Sequence, residues 1–435
     1  MTEKSPHRTT HLRSTSQSNS WTMRWMQRAG PGFVYVLTAM GAGDLVSNSA
    51  AGAGYGYALI WTIIPAAIFR FVWVSVSAKY VLVTQESLIQ GYARVSRWVI
   101  WILLVSVLIM GHFYMMYTIV MTGNAIEALL PSRFPWSSSL WSLLFAVLAF
   151  VMTYWGGYRI IERFLKVGMV VMLGGLVTAV VLARPDPAQI LQGALIPSIP
   201  GDHGLYGTLF IVMAIVGTMA GSITNLTYAY FIREKGWKDV SHLKRQRVDL
   251  LMSALCLFMI ASLLQVAAGA VVHPLGVDLE DANDLVKIFS EVQGMIGMVI
   301  FGLGLWGMNF SSLIGILIGF SLIVADLIRF SGKNPVSTGD FSEDARTHWA
   351  YRPCQIYLAF SPLYVLLGGV SPVWLVLSVN ALVVVLIPLL TPVLLILTNN
   401  KELMGQHCNR WYTNAILIVL MGISITIGLM QVLDV

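Results

Sequence analysis

TAMGAGDLVSN, residues 38–48, lies inside an apolar run long enough to cross a bilayer, yet it carries Gly41, Gly43 and then an acid, Asp44. A glycine inside a helix costs about 1 kcal/mol relative to alanine, and an acid at mid-membrane costs about 2.5–3.5 kcal/mol on insertion scales. A second stretch, IVGTMAGSITNLTYAYFIREKGW at 215–237, crowds Gly217, Gly221, Ser222, Thr224, Asn225 and Thr227 into the middle of another apolar run. Small and hydroxyl residues also serve ordinary helix–helix contacts, so this stretch alone is ambiguous. The place of the two stretches in the chain favours the functional reading over packing alone.

The chain has 435 residues, 57% of them hydrophobic and only 11% charged. Its mean hydropathy is +0.73. Soluble domains carry about 25% charged residues, so this composition describes an integral membrane protein. The apolar runs are continuous over about 20 residues, which suits helices and excludes the alternating pattern of a membrane barrel. Cys256, Cys354 and Cys408 are scattered, with no CxxC and no histidine at ligand spacing. They indicate neither a disulfide framework nor a zinc site. No nucleotide-binding loop or catalytic triad is present, so the reading is not an enzyme, and no cofactor is expected.

Eleven apolar segments run at 33–54, 57–83, 97–122, 138–154, 163–183, 207–231, 248–272, 293–328, 353–369, 372–397 and 412–433. The eighth is long enough to extend beyond the membrane or tilt strongly. The first 30 residues hold five basic side chains and lack the apolar core of a signal peptide, so they read as a disordered cytoplasmic tail. With the N-terminus inside, 23 of the 27 Lys and Arg fall on the cytoplasmic side and three (Arg133, Arg184, Lys287) outside. The positive-inside rule therefore orients the N-terminus in and the C-terminus out, in a cell membrane. It also accounts for the net charge of +6 without any nucleic acid. The loop with Asp278, Glu280, Asp281 and Asp284 reads as a solvated outer loop or a weak funnel for cations.

Spans 1 and 6 occupy corresponding positions in two sets of five. A pair of Gly-interrupted spans in such positions points to an inverted-repeat transporter, whose two broken helices open backbone groups at the midplane. The expected organisation is a tail (1–30), a first repeat (31–200), a second repeat (201–400), and a loop with span 11 (401–435). Asp44 is the one acid near mid-depth and is the leading site candidate. Its structural alternative is a carboxylate paired internally, for instance with Arg70. Asp326 sits one turn from Arg329 near the inner end of span 8 and reads as a structural pair.

The chain resembles the NRAMP (natural resistance-associated macrophage protein) divalent-metal transporters over nearly all of residues 30–405. GPGFVYVLTAMGAGD (30–44) is similar to the family's span 1 opening and GAGYGYALIW (52–61) to its span 1–2 turn. PSIPG (197–201) resembles the loop before span 6, and NNKELMG (399–405) the segment after span 10. The most specific stretch is RVDLLMSALCLFMIASLLQVAAGAVVHPLGVDLEDANDLV (247–286), which resembles span 7 and the loop after it. The resemblance implies an all-α membrane fold of about 11 helices. It is the LeuT-type five-plus-five inverted repeat with helices 1 and 6 broken, and metal binds between them.

The departures are chemical. Where the family carries Asp-Pro-Gly-Asn, this chain has Gly41, Ala42, Gly43 and Asp44, so the acid has moved one turn. Where the family has Met-Pro-His-Asn, a gapless match gives Gly221, Ser222, Ile223 and Thr224, and a register shifted by one gives Asn225 at the last position. The motif His is gone in either register, and the nearest methionine is Met219. The family's second span-6 His falls at Tyr228, and its span-3 acids at Tyr117 and Val120. A thioether selects transition metals, whereas an oxygen-only site suits Mg²⁺, Ca²⁺ and Mn²⁺. The pattern is similar to the NRAMP-related magnesium transporters, a branch without the usual site and proton coupling. The site expected from these positions is Asp44 with Gly41, Thr218, Gly221 and Thr224 or Asn225. Ser222, Tyr228, Asn380 and His112 are accessory candidates. For His112 and Asn380 the alternative is an interhelical hydrogen bond. Asn309, Ser311 and Ser312 read as packing groups. The transported species is a divalent cation, Mg²⁺ favoured and Mn²⁺ next. The rivals are a small organic solute, such as an amine or amino acid, and a sensor that does not transport. The sequence leaves the oligomeric state open.

Overall fold

The computed structural model describes residues 35–36, 41–155, 170, 173–202, 205–221, 223–276, 279, 282–332, 339–368 and 371–432. They form helices and connecting loops, with no strand among the described residues. The main helices are α1 (Ala42–Tyr55), α2 (Ile63–Thr84), α3 (Arg97–Leu129), α4 (Ser137–Trp155) and α5 (Leu173–Ala183). Then come α6 (Thr208–Val216), α7 (Thr224–Glu234), α8 (Leu243–Val271) and α9 (Ala282–Ser331). The last are α10 (Tyr351–Phe360), α11 (Pro372–Val383), α12 (Leu386–Asn399) and α13 (Trp411–Val432).

Eight of the described segments are long and apolar enough to cross a membrane. The expected segments 1, 5 and 9 correspond to shorter pieces: α1, α5, and α10 continued by the 3₁₀ turn Ser361–Leu367. Helix ends are set by local chemistry. Ser371 caps α11 by accepting from the Trp374 amide, and Pro372 fills the first helical position, where no amide is needed. Gly56 ends α1 with φ of 57°, a conformation that favours glycine. The long eighth segment is two helices joined at Gly294, whose φ is 61°. The apolar part, Gly294–Ser331, has 38 residues. At about 1.5 Å per residue it exceeds a hydrocarbon core of about 30 Å and so extends beyond it.

The helices sort into two packed groups. In one, α8 lies along α1 and α2, α6 packs on α1, and α7 packs on α2. In the other, α9 lies along α3, α4 and α10, and α3 packs on α4. Helix α11 touches α1, α3 and α6, so it stands between the groups. Close backbone approach uses small residues, as membrane packing requires. At Gly52 of α1, an added Cβ would collide with the backbone carbonyl of Gln265 in α8.

Where the first group meets the second at the basic end of α9, polar groups are buried and paired. Asp326 is completely buried and accepts from the Tyr230 hydroxyl at 2.9 Å. Arg329 stands 3.5 Å from Asp326 and 3.2 Å from Asp344. The expected Asp326–Arg329 pair is present, and it ties α7, α9 and the short helix Phe341–Thr347 together.

Candidate functional site

Both expected breaks are present, in different forms. Helix α1 begins at Ala42, with Gly41 as an extended N-cap residue and no side-chain cap. The Gly41 carbonyl accepts from the Leu45 amide at 3.3 Å, so it is not a fully freed backbone oxygen as the sequence suggested; one lone pair is left. The sixth span is interrupted between α6 and α7. It widens into a π-helical turn over Gly217–Gly221. Single π turns of this kind recur at functional sites. A Cβ at Gly217 would collide with the Asn380 backbone carbonyl, so only glycine allows α6 to approach α11 there.

Asp44 lies in the first turn of α1, where the helix dipole favours an anion, and is 2% exposed. Its Oδ1 accepts from Thr218 Oγ1 at 3.3 Å, which joins the first break to the π turn. Its Oδ2 faces Arg70 Nη1 of α2 at 3.7 Å and accepts no hydrogen bond. The structural alternative for Asp44, a carboxylate paired with Arg70, is thus present. Arg70, also 2% exposed, donates from Nε to the Tyr35 hydroxyl at 2.8 Å, and its guanidinium lies 5.3 Å from the Tyr35 ring centre. Tyr35 donates to Asn225 Oδ1 at 2.5 Å, and Asn225 Nδ2 donates to the Ala220 carbonyl at 3.0 Å. The polar chain therefore leaves the π turn at Thr218, passes Asp44, Arg70, Tyr35 and Asn225, and re-enters it at Ala220.

This circuit leaves buried atoms unused. Arg70 Nη1 and Nη2, Asp44 Oδ2 and both amide atoms of Asn380 have no hydrogen-bond partner. Asn380 is 1% exposed and belongs to the same place: a Cβ at Gly43 would sit 2.9 Å from its Nδ2 and 2.7 Å from Thr218 Oγ1. Ser312 of α9 borders the other side of the break, with its Oγ 2.6 Å from where a Gly41 Cβ would be. Among the described residues, no cluster of three His, Cys, Asp or Glu could hold a metal. A cation here would rely on one carboxylate and neutral oxygens.

Residues 32–434 match the family described as natural resistance-associated macrophage protein-like. The chain belongs to the Nramp family. Among its relatives is the divalent metal cation transporter MntH of Chromohalobacter salexigens, 25% identical over 403 residues that cover 89% of this chain and 86% of the relative. A mutant of the Eremococcus coleocola manganese transporter superposes with a TM-score of 0.69 at 17% identity, covering 95% of this chain and 88% of that one. MhsT in complex with L-phenylalanine superposes with a TM-score of 0.56 at 14% identity, covering 92% and 97%. The fold of this Nramp-family chain is accordingly the all-helical LeuT type.

The remaining site candidates of this Nramp-family chain are spread more widely. Thr224 and Asn225 are both buried at the start of α7, with Asn225 held in the circuit. Tyr228 packs edge-on against Tyr35, ring centres 5.3 Å apart, and donates to Asp249 at 3.3 Å. His112 bonds Ser361 Oγ at 2.7 Å and the Tyr364 hydroxyl at 3.2 Å, both in the ninth segment, which matches the interhelical alternative. Ser222 lies outside the described residues, as do Asp278, Glu280 and Asp281 of the outer loop. Tyr35 and Ser312 were not singled out by sequence as site residues. Neither is charged, and only the folded chain places them beside the breaks.

Proposed function

We propose that this chain carries a divalent cation across the membrane by alternating access, with Asp44 as the charged ligand. The observation that carries the reading is the buried Asp44 Oδ2, which accepts no hydrogen bond at the meeting point of the two breaks. Thr218 and the unpaired Asn380 amide supply neutral oxygens beside it. The divalent metal cation transporter MntH and the manganese transporter named above support the same substrate class. One carboxylate with neutral oxygens favours Mg²⁺, which keeps several of its waters, with Mn²⁺ next. The resemblance puts Tyr117, Val120 and Tyr228 where the family has titratable groups, so transport is proposed to run without the usual proton coupling. The N-terminus is proposed to face the cytoplasm, on the positive-inside argument.

In this reading, Arg70 holds the place of the cation in the state described. A metal ion entering the site must displace the guanidinium from Asp44. The same pair supports a second reading: a zwitterion such as an amino acid would set its ammonium on Asp44 Oδ2 and its carboxylate on the unused Arg70 Nη groups. Uptake into proteoliposomes separates the two. Under the metal reading, Mg²⁺ or Mn²⁺ enters down its own gradient without acidifying the lumen. Entry of an amino acid with neither metal moving would sink the metal reading, and metal entry with luminal acidification would sink the uncoupled form.

A further inference from the structure

A cavity of about 410 Å³ opens away from the helix breaks, at the basic end of α2. Lys79 of α2, Arg247 near the start of α8 and Arg410 just before α13 line it together. No acidic side chain lines it among the described residues. Lys79 is 9% exposed, and its ammonium has one partner, the neutral Asn409 Oδ1 at 2.7 Å. No carboxylate stands within ion-pair distance of Lys79, Arg247 or Arg410 among the described residues. A charge buried as far as Lys79 without a counter-ion is costly, and with two exposed arginines on the same cavity it leaves a place for an anion.

The other half of the cavity is apolar. Phe71, Val72 and Val76 of α2 and Ile416 of α13 line it. From Lys79 to Phe71 is two turns of helix, about 12 Å. The cavity thus runs from a cationic mouth into the depth of the hydrocarbon. Helix α13, which forms one wall, has the least buried apolar window of the eight candidate spans. The cavity thus lies beside a peripheral helix, and its polarity is that of an amphiphile standing upright.

We infer that this cavity binds an anionic phospholipid, its headgroup phosphate on Lys79, Arg247 and Arg410 and one acyl chain along Phe71, Val76 and Ile416. Free phosphate shares the headgroup chemistry but gives the apolar half no role. Basic pockets between membrane helices on the cytoplasmic side suit lipid phosphates, with each nearby Lys or Arg worth about 1 kcal/mol.

Native mass spectrometry of the purified full-length protein in neutral detergent tests this with phosphatidylglycerol, phosphatidylcholine and inorganic phosphate as probes. One phosphatidylglycerol is expected to bind in preference to phosphatidylcholine. Arg247 and Arg410 are both exposed, so the double variant Arg247→Gln/Arg410→Gln is expected to fold and to bind about 30-fold more weakly, about 2 kcal/mol. Ile416→Trp, which fills the apolar end and keeps the cations, is expected to lose the lipid as well. Equal retention of the two lipids by the wild type would overturn the proposal, as would wild-type retention of phosphatidylglycerol by the double variant. Displacement of phosphatidylglycerol by millimolar inorganic phosphate would replace it with a free-anion site.

Discussion

Arg70 Nη1 stands 3.7 Å from Asp44 Oδ2, and both side chains are shut away from solvent. The only acid at the two helix breaks among the described residues is thus already facing a cation supplied by the protein. At 3.7 Å the pair is electrostatic and makes no hydrogen bond, so the carboxylate oxygen keeps its lone pairs for another ligand. A substrate cation competes with Arg70 for that oxygen.

Removing the competitor is expected to strengthen metal binding. Arg70→Gln should raise the affinity for Mn²⁺ at least tenfold, about 1.4 kcal/mol, in isothermal titration of the purified protein. An amino-acid carrier would respond in the opposite direction, losing its carboxylate partner. Unchanged Mn²⁺ affinity in the variant would remove Arg70 from the binding equilibrium.

The pair also contributes to stability, and the single and double variants separate the two roles. Asp44→Asn leaves a buried guanidinium uncompensated, a loss of about 3–5 kcal/mol. Asp44→Asn/Arg70→Gln should recover much of that loss in thermal unfolding yet remain inactive in uptake. A double variant as unstable as Asp44→Asn would mean that the two side chains are not coupled.

Tyr35 holds both ends of the circuit through one hydroxyl. Tyr35→Phe strips Arg70 Nε of its acceptor and Asn225 Oδ1 of its donor. Leaving buried polar atoms unpaired costs about 1–3 kcal/mol, and the link from Asn225 to Arg70 is lost. The expected outcome is a lower unfolding temperature together with weaker metal binding. A variant that matches the wild type in both would show that the circuit does not hold the site.

Gly217 lets α6 lie against the Asn380 carbonyl. In Gly217→Ala the new methyl collides with that carbonyl, so α6 and α11 must separate. The expected cost is about 1–3 kcal/mol, with loss of uptake. Gly428→Ala, at a position on α13 where a Cβ meets nothing, is the control and should behave as wild type in both measurements.

The spans were legible because hydropathy and length decide what crosses a membrane. The segments expected at 57–83 and 138–154 became Ile60–Thr84 and Ser137–Trp155. The two breaks were legible too, because Gly41, Gly43, Gly217 and Gly221 stand out against apolar runs. The form of the second break was not. A π turn draws on the same small residues as an unwound segment, and only the folded chain sets Gly217 against the Asn380 carbonyl. Arg70 was readable as a partner for Asp44, since both are charges within apolar segments. Tyr35 was not, because a tyrosine in a membrane helix carries no signal until its hydroxyl meets Arg70 and Asn225. Lys79, Arg247 and Arg410 were countable as basic residues on one side, but their convergence on one cavity depends on the packing of α2, α8 and α13.

Whether Asp44 holds the cation is decided by Mn²⁺ and Mg²⁺ uptake into proteoliposomes carrying the wild type or Asp44→Asn/Arg70→Gln. The double variant keeps the site free of an unpaired charge, so a loss of uptake reports on ligation and not on unfolding. With Asp44 as the ligand, metal enters with the wild type and not with the double variant at equal reconstitution. Metal entry at the wild-type rate through the double variant would contradict ligation by Asp44.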